Sequence, residues 1–271
     1  MAPGPKDPIP SMGGEKGAIM VLPDNLDPSE PPEGNRVGSS QNDKKRDDVI
    51  PERHARDVFH AWMLKDAVYV GRLDMPLLQP SSSVPNKLVA FSDAMKPSWR
   101  DFDCWVHFFE DDAIINRFWN NPTQYLKKLK KFRGVTGLDY SVGWNFPRAV
   151  KEYNHFRNST CSHWLHQRGI EVIPQARCEQ DDFMDVLAGF PKRSTIAIGA
   201  RSMVRDVKDR VVLKEAVKLV VDFLEPSHIV WYGSTQYGVA DYLDEMGIPY
   251  TVYPGKGRGD LRSCPRDEGE A

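Results

Sequence analysis

Cysteine is scarce. Cys104, Cys161, Cys178 and Cys264 stand far apart and form no C-x-x-C pair, which argues against a zinc ribbon or a redox dithiol and leaves reduced, buried thiols as the expectation. No stretch reaches the roughly 18 consecutive apolar residues of a spanning helix, and the N-terminus has no basic region followed by an apolar core. A cytoplasmic protein with no membrane partner is expected. An excess of one charge is missing too. Lys plus Arg number 36 against 38 Asp plus Glu, a net charge of -2, so nothing draws the whole chain to nucleic acid and any basic surface has to be local. The G-x-x-x-x-G-K-[ST] and G-x-G-x-x-G loops are absent, as is a G-x-S-x-G elbow, so no motif with a fixed chemistry names a reaction.

Residues 1–50 lack aromatics and are rich in proline, glycine and charge. Such a segment cannot bury enough surface to offset its chain entropy and is expected to be disordered. The tail 255–271 reads the same way, and its Arg258-Gly259-Asp260 is taken as chance. One α/β domain is expected over 51–254.

What the chain does have is a rhythm. Five short apolar runs lead into a polar residue or glycine and then into a helical pattern: Trp105-Val-His-Phe-Phe into Glu110, Val135-Thr-Gly-Leu into Asp139, Val172-Ile-Pro into Gln175-Ala-Arg177, Thr195-Ile-Ala-Ile-Gly into Arg201, and Ile229-Val-Trp-Tyr into Gly233-Ser234. This is the pattern of βα units in a largely parallel sheet, with ligand sites at the carboxyl ends of the strands. With Lys87–Phe91 and Pro249–Tyr253 the strands number seven, or eight with Val68–Val70. Many marked strand ends favour a β/α barrel or incomplete barrel, while a core of about 190 residues is short for a full one and keeps an open doubly wound sheet as the alternative.

Helices are expected between the strands. Residues 52–64 place Val58, Phe59, Trp62 and Met63 on one face, and Ile114, Ile115, Phe118 and Trp119 form another stripe. Asn121-Pro122 opens a third helix with Tyr125, Leu126, Leu129 and Phe132 opposite Lys127, Lys128, Lys130 and Lys131. Over 147–168 the apolar set is Ala149, Val150, Tyr153, Phe156, Trp164 and Leu165, ended by Gly169. Two further helices are expected over 206–224 and 240–246.

The succession Glu110-Asp-Asp, Phe132-Arg-Gly-Val, Asp139-Tyr-Ser141, Asn154-His-Phe-Arg157, Gly169-Ile-Glu-Val-Ile-Pro174, Leu224-Glu-Pro226 and Val230-Trp-Tyr-Gly-Ser234 resembles an uncharacterised domain-of-unknown-function family of bacteriophages, plasmids and bacterial chromosomes, over roughly residues 75–253. The resemblance implies a phage or bacterial setting and one compact α/β domain, and it supplies no activity. Where the family pattern often ends a strand in tryptophan, this chain has Arg177-Cys178.

Among the strand ends, Glu110 and Asp139 are the candidate catalytic pair, as acid and base or as ligands of one Mg²⁺. Asp111 or Asp112 is explained equally by capping the helix that opens at Ala113, and Asp139 by ordering its own loop. Arg177 and Arg201, with Gln175 and Ser234, are candidate substrate-binding groups, the guanidiniums suiting phosphate. Pairing with the carboxylates explains the arginines as well, and a tight turn explains Gly233-Ser234. His163 and His166 have a metal-compatible spacing without a third ligand. The preferred reading is an enzyme acting on a phosphorylated, nucleotide or nucleic-acid substrate. A non-catalytic nucleic-acid-binding or replication accessory protein, holding a strand in the same mouth or on the lysine face, is the alternative, and a glycosidase-like hydrolase the third.

Overall fold

The computed structural model describes residues 57–143, 145–200, 207–235 and 238–255. The proline-rich stretch 1–50, Arg201, Cys264 and residues 256–271 lie outside them.

The described chain begins with a short 3-10 helix, Ala61–Leu64, followed by β1 (Tyr69–Val70) and β2 (Met75–Pro76), which pair antiparallel as a separate ribbon. Val68–Val70 is therefore not an eighth strand of the parallel set. Of the helix expected over 52–64, residues 52–56 lie outside the described residues, and 57–64 form only the one turn Ala61–Leu64. His60 takes a left-handed backbone conformation (φ 53°) that no α-helix continues through, and Val58 and Phe59 are exposed on its far side.

Seven parallel strands follow among the described residues: β3 (Leu88–Ala90), β4 (Trp105–Phe108), β5 (Gly134–Leu138), β6 (Val172–Ile173), β7 (Thr195–Gly199), β8 (His228–Tyr232) and β9 (Tyr250–Tyr253). They pair in chain order, β3-β4-β5-β6 in one sheet and β7-β8-β9 in another. A parallel bridge between Gln175 and Ala197 joins the two, with Ala176 N donating to Ala197 O at 2.9 Å and Ala197 N to Pro174 O at 2.8 Å. Strands β3 to β7 are buried at every position, as parallel strands covered on both faces require.

The connections are α1 (Phe91–Ala94), α2 (Asp112–Asn120), α3 (Pro122–Leu129), α4 (Arg148–Gln167), α5 (Phe183–Val186), α6 (Val207–Leu224) and α7 (Val239–Glu245). Gly169 and Gly247, at φ 78° and 64°, turn α4 and α7 back toward β6 and β9 in the left-handed conformation that glycine adopts without strain. Alternation along the strands divides the core. Val106, Phe108 and Val135 pack with α2, α3 and α4, and Ile196, Ile198, Ile229 and Trp231 with α6 and α7. Leu88, Trp105, Phe109, Ile173, Ala197, Val230, Tyr232 and Tyr253 form a third cluster drawn from both sheets. Tyr253 Oη reaches across to donate to the carbonyl of Pro85, just before β3.

Cys104, Cys161 and Cys178 are free and buried, and burial pushes each thiol up. The expectation of inert thiols holds for these three.

Candidate functional site at the carboxyl ends of the strands

Phe108 and Leu138 are register partners on β4 and β5, so Glu110 and Asp139 leave adjacent strand ends. Their carboxylates are nevertheless engaged on opposite sides. Glu110 turns toward β3, where Ser92 N donates to Oε2 at 2.8 Å and Ser92 Oγ donates to Oε1. Both oxygens are thus occupied at the first turn of α1. Asp139 turns toward β6, and Gln175 Nε2 donates to its Oδ1 at 2.9 Å.

Arg177 completes the group. Its Nη2 donates to Asp139 Oδ2 at 3.4 Å and to the carbonyl of Gly199 at 3.2 Å. The Asp139 and Arg177 side chains are each 11% exposed. Burial pushes the Asp139 carboxyl up to about 6, against the pull of Arg177 and with a further push from the charge of Asp112. Desolvation wins here because the guanidinium of Arg177 is held at a long distance. Gly199 makes the arrangement possible. A Cβ at this position would lie 2.5 Å from the Phe109 ring and 3.1 Å from Asp139 Oδ2. Phe109 in turn stacks on Tyr232, ring centroids 4.9 Å apart, and Tyr232 packs on His107. An aromatic floor therefore closes the site from below.

The outer wall is α4, whose first half departs from the sequence expectation, while Trp164 and Leu165 near its end are buried as expected. Ala149, Val150 and Tyr153 are exposed, while Asn154, His155, Asn158, Ser159 and Ser162 are buried. The polar face turns inward because it satisfies the strand-end backbone. Asn158 Oδ1 accepts from Tyr140 N at 3.0 Å, and Asn154 Nδ2 donates to Ser141 O. Asp112 Oδ1 accepts from Ser141 N at 3.0 Å and from Ser141 Oγ at 3.1 Å. Lys151 Nζ pairs with Glu179 Oε2 at 2.5 Å. Burial, and then the positive charges of Arg177 and Lys151, push His155 down to about 3, so its imidazole is neutral.

Asp111 occupies the N-cap position of α2 without a side-chain capping bond. Ser234 is exposed, and its carbonyl accepts from Trp231 Nε1 at 3.1 Å. Arg201 lies outside the described residues. On the lysine face, Lys128 Nζ donates to the carbonyl of Lys96 at 2.6 Å and Lys131 lies over the Phe102 ring. Among the described residues no group of three His, Cys, Asp or Glu side chains is placed to hold a metal ion, His163 and His166 included. No described helix is long and apolar enough to cross a membrane.

The model of a domain of unknown function, DUF4417, matches residues 67–248, the whole stretch from β1 to the end of α7. The chain belongs to the DUF4417 family. It is similar to the Gene 1 protein of Mycobacterium phage L5, 28% identical over 181 residues that make up 65% of this chain and 76% of the phage protein. It is also similar to the Gene 1 protein of Mycobacterium phage D29, 26% identical over 181 residues, 65% of this chain and 64% of that protein. Their names state no activity. No solved structure matches the chain significantly. DUF4417 is thus present in phage genes, and in this member Asp139, Gln175, Arg177 and the polar face of α4 all lie within the matched region.

Proposed function

We propose that this DUF4417 protein is a cytoplasmic enzyme of phage or mobile-element type acting on a phosphorylated, nucleotide or nucleic-acid substrate, with Asp139 as general acid or base and Arg177 as the anion clamp. One observation carries the reading: a buried carboxyl with its pKa raised to about 6 stands beside a guanidinium where three neighbouring parallel strands end. A carboxyl titrating there exchanges its proton close to neutral pH, as acid–base catalysis needs. The hydrogen bonds of Arg177 among the described residues all come from Nη2, which leaves the rest of the fork for a phosphate. Gln175 orients the carboxylate. Glu110 accepts hydrogen bonds from Ser92 at the first turn of α1, and the reading gives it no direct part in the proton transfer.

The architecture behind this reading is one curled sheet, an incomplete barrel. Strands in chain order with no reversal, a bridge between the two sheets and a cluster of side chains from both support it. The glycosidase-like reading has less support, since Glu110 and Asp139 are each engaged by a different neighbour, Ser92 and Gln175. The accessory nucleic-acid-binding reading depends on lysines that are partly tied down locally.

The test is turnover of a panel of phosphate esters, nucleotides and short DNA strands, with Mg²⁺ or with a chelator. Asp139→Asn is expected to lower kcat by roughly 10²-fold or more, the usual contribution of a positioned acid or base. Arg177→Ala is expected to act chiefly on KM. Turnover that survives unchanged in both variants places the chemistry elsewhere.

A further inference from the structure

On α4, His155 stands between two residues that contact the segments flanking Asp139 and Arg177. Lys151, one turn before it, reaches Glu179, two residues beyond Arg177. Asn158, one turn after it, reaches the amide of Tyr140, next to Asp139. Residues three and four apart share a helix face, so the side chain between these two anchors is directed at the gap between the ends of β5 and β6. The electrostatics agree, because the charges that His155 feels most are those of Arg177 and Lys151. It is 6% exposed, and its Nε2 has no hydrogen-bond partner among the described residues.

A buried ring nitrogen without a partner is costly unless something else satisfies it. Of the two cations that act on it, Lys151 is paired with Glu179, whereas Arg177 bonds Asp139 and Gly199 through Nη2 alone among the described residues, and an oxyanion on the rest of that fork suits the partner. A neutral imidazole serves such a ligand as a hydrogen-bond donor that adds no charge and gives up no proton to the solvent. We propose that His155 Nε2–H, together with Arg177, binds an oxyanion of the substrate's phosphate group, making His155 a ligand-contacting residue of this site. The inference rests on the function proposed above and deepens it. Arg177 supplies the charge, and His155 fixes where the oxygen sits relative to Asp139. Glu179 Oε1 is also buried and without a partner among the described residues, and its carboxylate, paired with Lys151 through Oε2, repels an anion and so favours the Arg177 side.

The probe is inorganic phosphate, titrated calorimetrically into the full chain and followed by the imidazole nitrogen resonances of His155. In the wild type, phosphate is expected to shift the Nε2 resonance of an Nε2–H tautomer. His155→Leu, which keeps the packing, weakens binding about tenfold, the loss expected for one hydrogen bond to a charged partner. His155→Gln, whose amide nitrogen falls near the position of Nε2, restores most of it. Binding abolished by Arg177→Ala but unchanged in His155→Leu, with the His155 resonances unmoved, overturns the role of His155 and leaves the anion site intact. Absence of any phosphate binding by the folded wild type overturns both.

Discussion

Asp139 and His155 are two buried titratable groups of one site whose pH linkages have opposite signs. Asp139 keeps its proton in the native chain up to about 6, whereas the unfolded chain loses it near 3.8. The native state holds the extra proton between those values, so stability falls as pH rises from about 4 to about 6, by on the order of 3 kcal/mol for a shift of this size. His155, pushed from 6.5 to about 3, does the reverse. There the unfolded chain binds the extra proton, and stability falls as pH drops below 6.5. Urea unfolding at several pH values separates them. Asp139→Asn is expected to gain stability relative to wild type as pH rises toward 6, and His155→Gln to gain relative to wild type as pH falls below 6.5. Parallel curves for the wild type and Asp139→Asn mean that the carboxyl titrates at its ordinary value. The two residues also differ in how far the sequence disclosed them. Asp139, Gln175 and Arg177 stand where apolar runs end, and such positions face the mouth of any parallel βα fold. His155 stands in a helix, where position along the chain says nothing of a site, and its importance depends on what α4 packs against.

At the scale of elements, α4 shows why. Periodicity assigns Val150 and Tyr153 to the core, yet both are exposed while Asn154, His155 and Asn158 are buried. Hydrophobic patterning assumes that the buried neighbour is apolar. Here the neighbour is the irregular backbone just beyond β5, with amide and carbonyl groups that need partners, and the polar stripe supplies them. The stripe Lys151, His155, Asn158, Ser162 has the same helical period as a core face, but its polar residue types do not mark it as an inward one. The consequence is measurable. Asn158→Ala strands the buried amide of Tyr140 and is expected to cost about 1–3 kcal/mol. Val150→Ser is expected to change stability by no more than about 0.5 kcal/mol, as for an ordinary surface site. Chemical denaturation that reverses this order restores the apolar face to the interior.

At the scale of the whole molecule, the question is whether the two sheets act as one. The strands themselves were legible in the sequence, because each apolar run leads into a helical pattern, but their order was not, since a barrel and an open doubly wound sheet arrange the same strands differently. The seam between β6 and β7 was not legible, since β6 is only Val172–Ile173 and pairing there continues past Pro174, which has no amide to donate. The seam is narrow in backbone terms, but Ile173 and Ala197, on its two sides, share a buried cluster with Leu88, Trp105, Val230 and Tyr253. Opening the seam alone would expose that cluster to water, and burial of so many large side chains outweighs the few hydrogen bonds on which the ladder depends locally. The amides of Ala176 and Ala197, which bond across the seam, are therefore expected to exchange with solvent deuterium at the free energy of global unfolding. That free energy should equal the values for Val135 and Ile229, which bond within the first and second sheets to Glu171 and Pro249. Exchange at Ala176 and Ala197 that is faster than at both reference amides means that the halves separate before either unfolds, and the curled single sheet proposed for the site gives way to two sheets in contact.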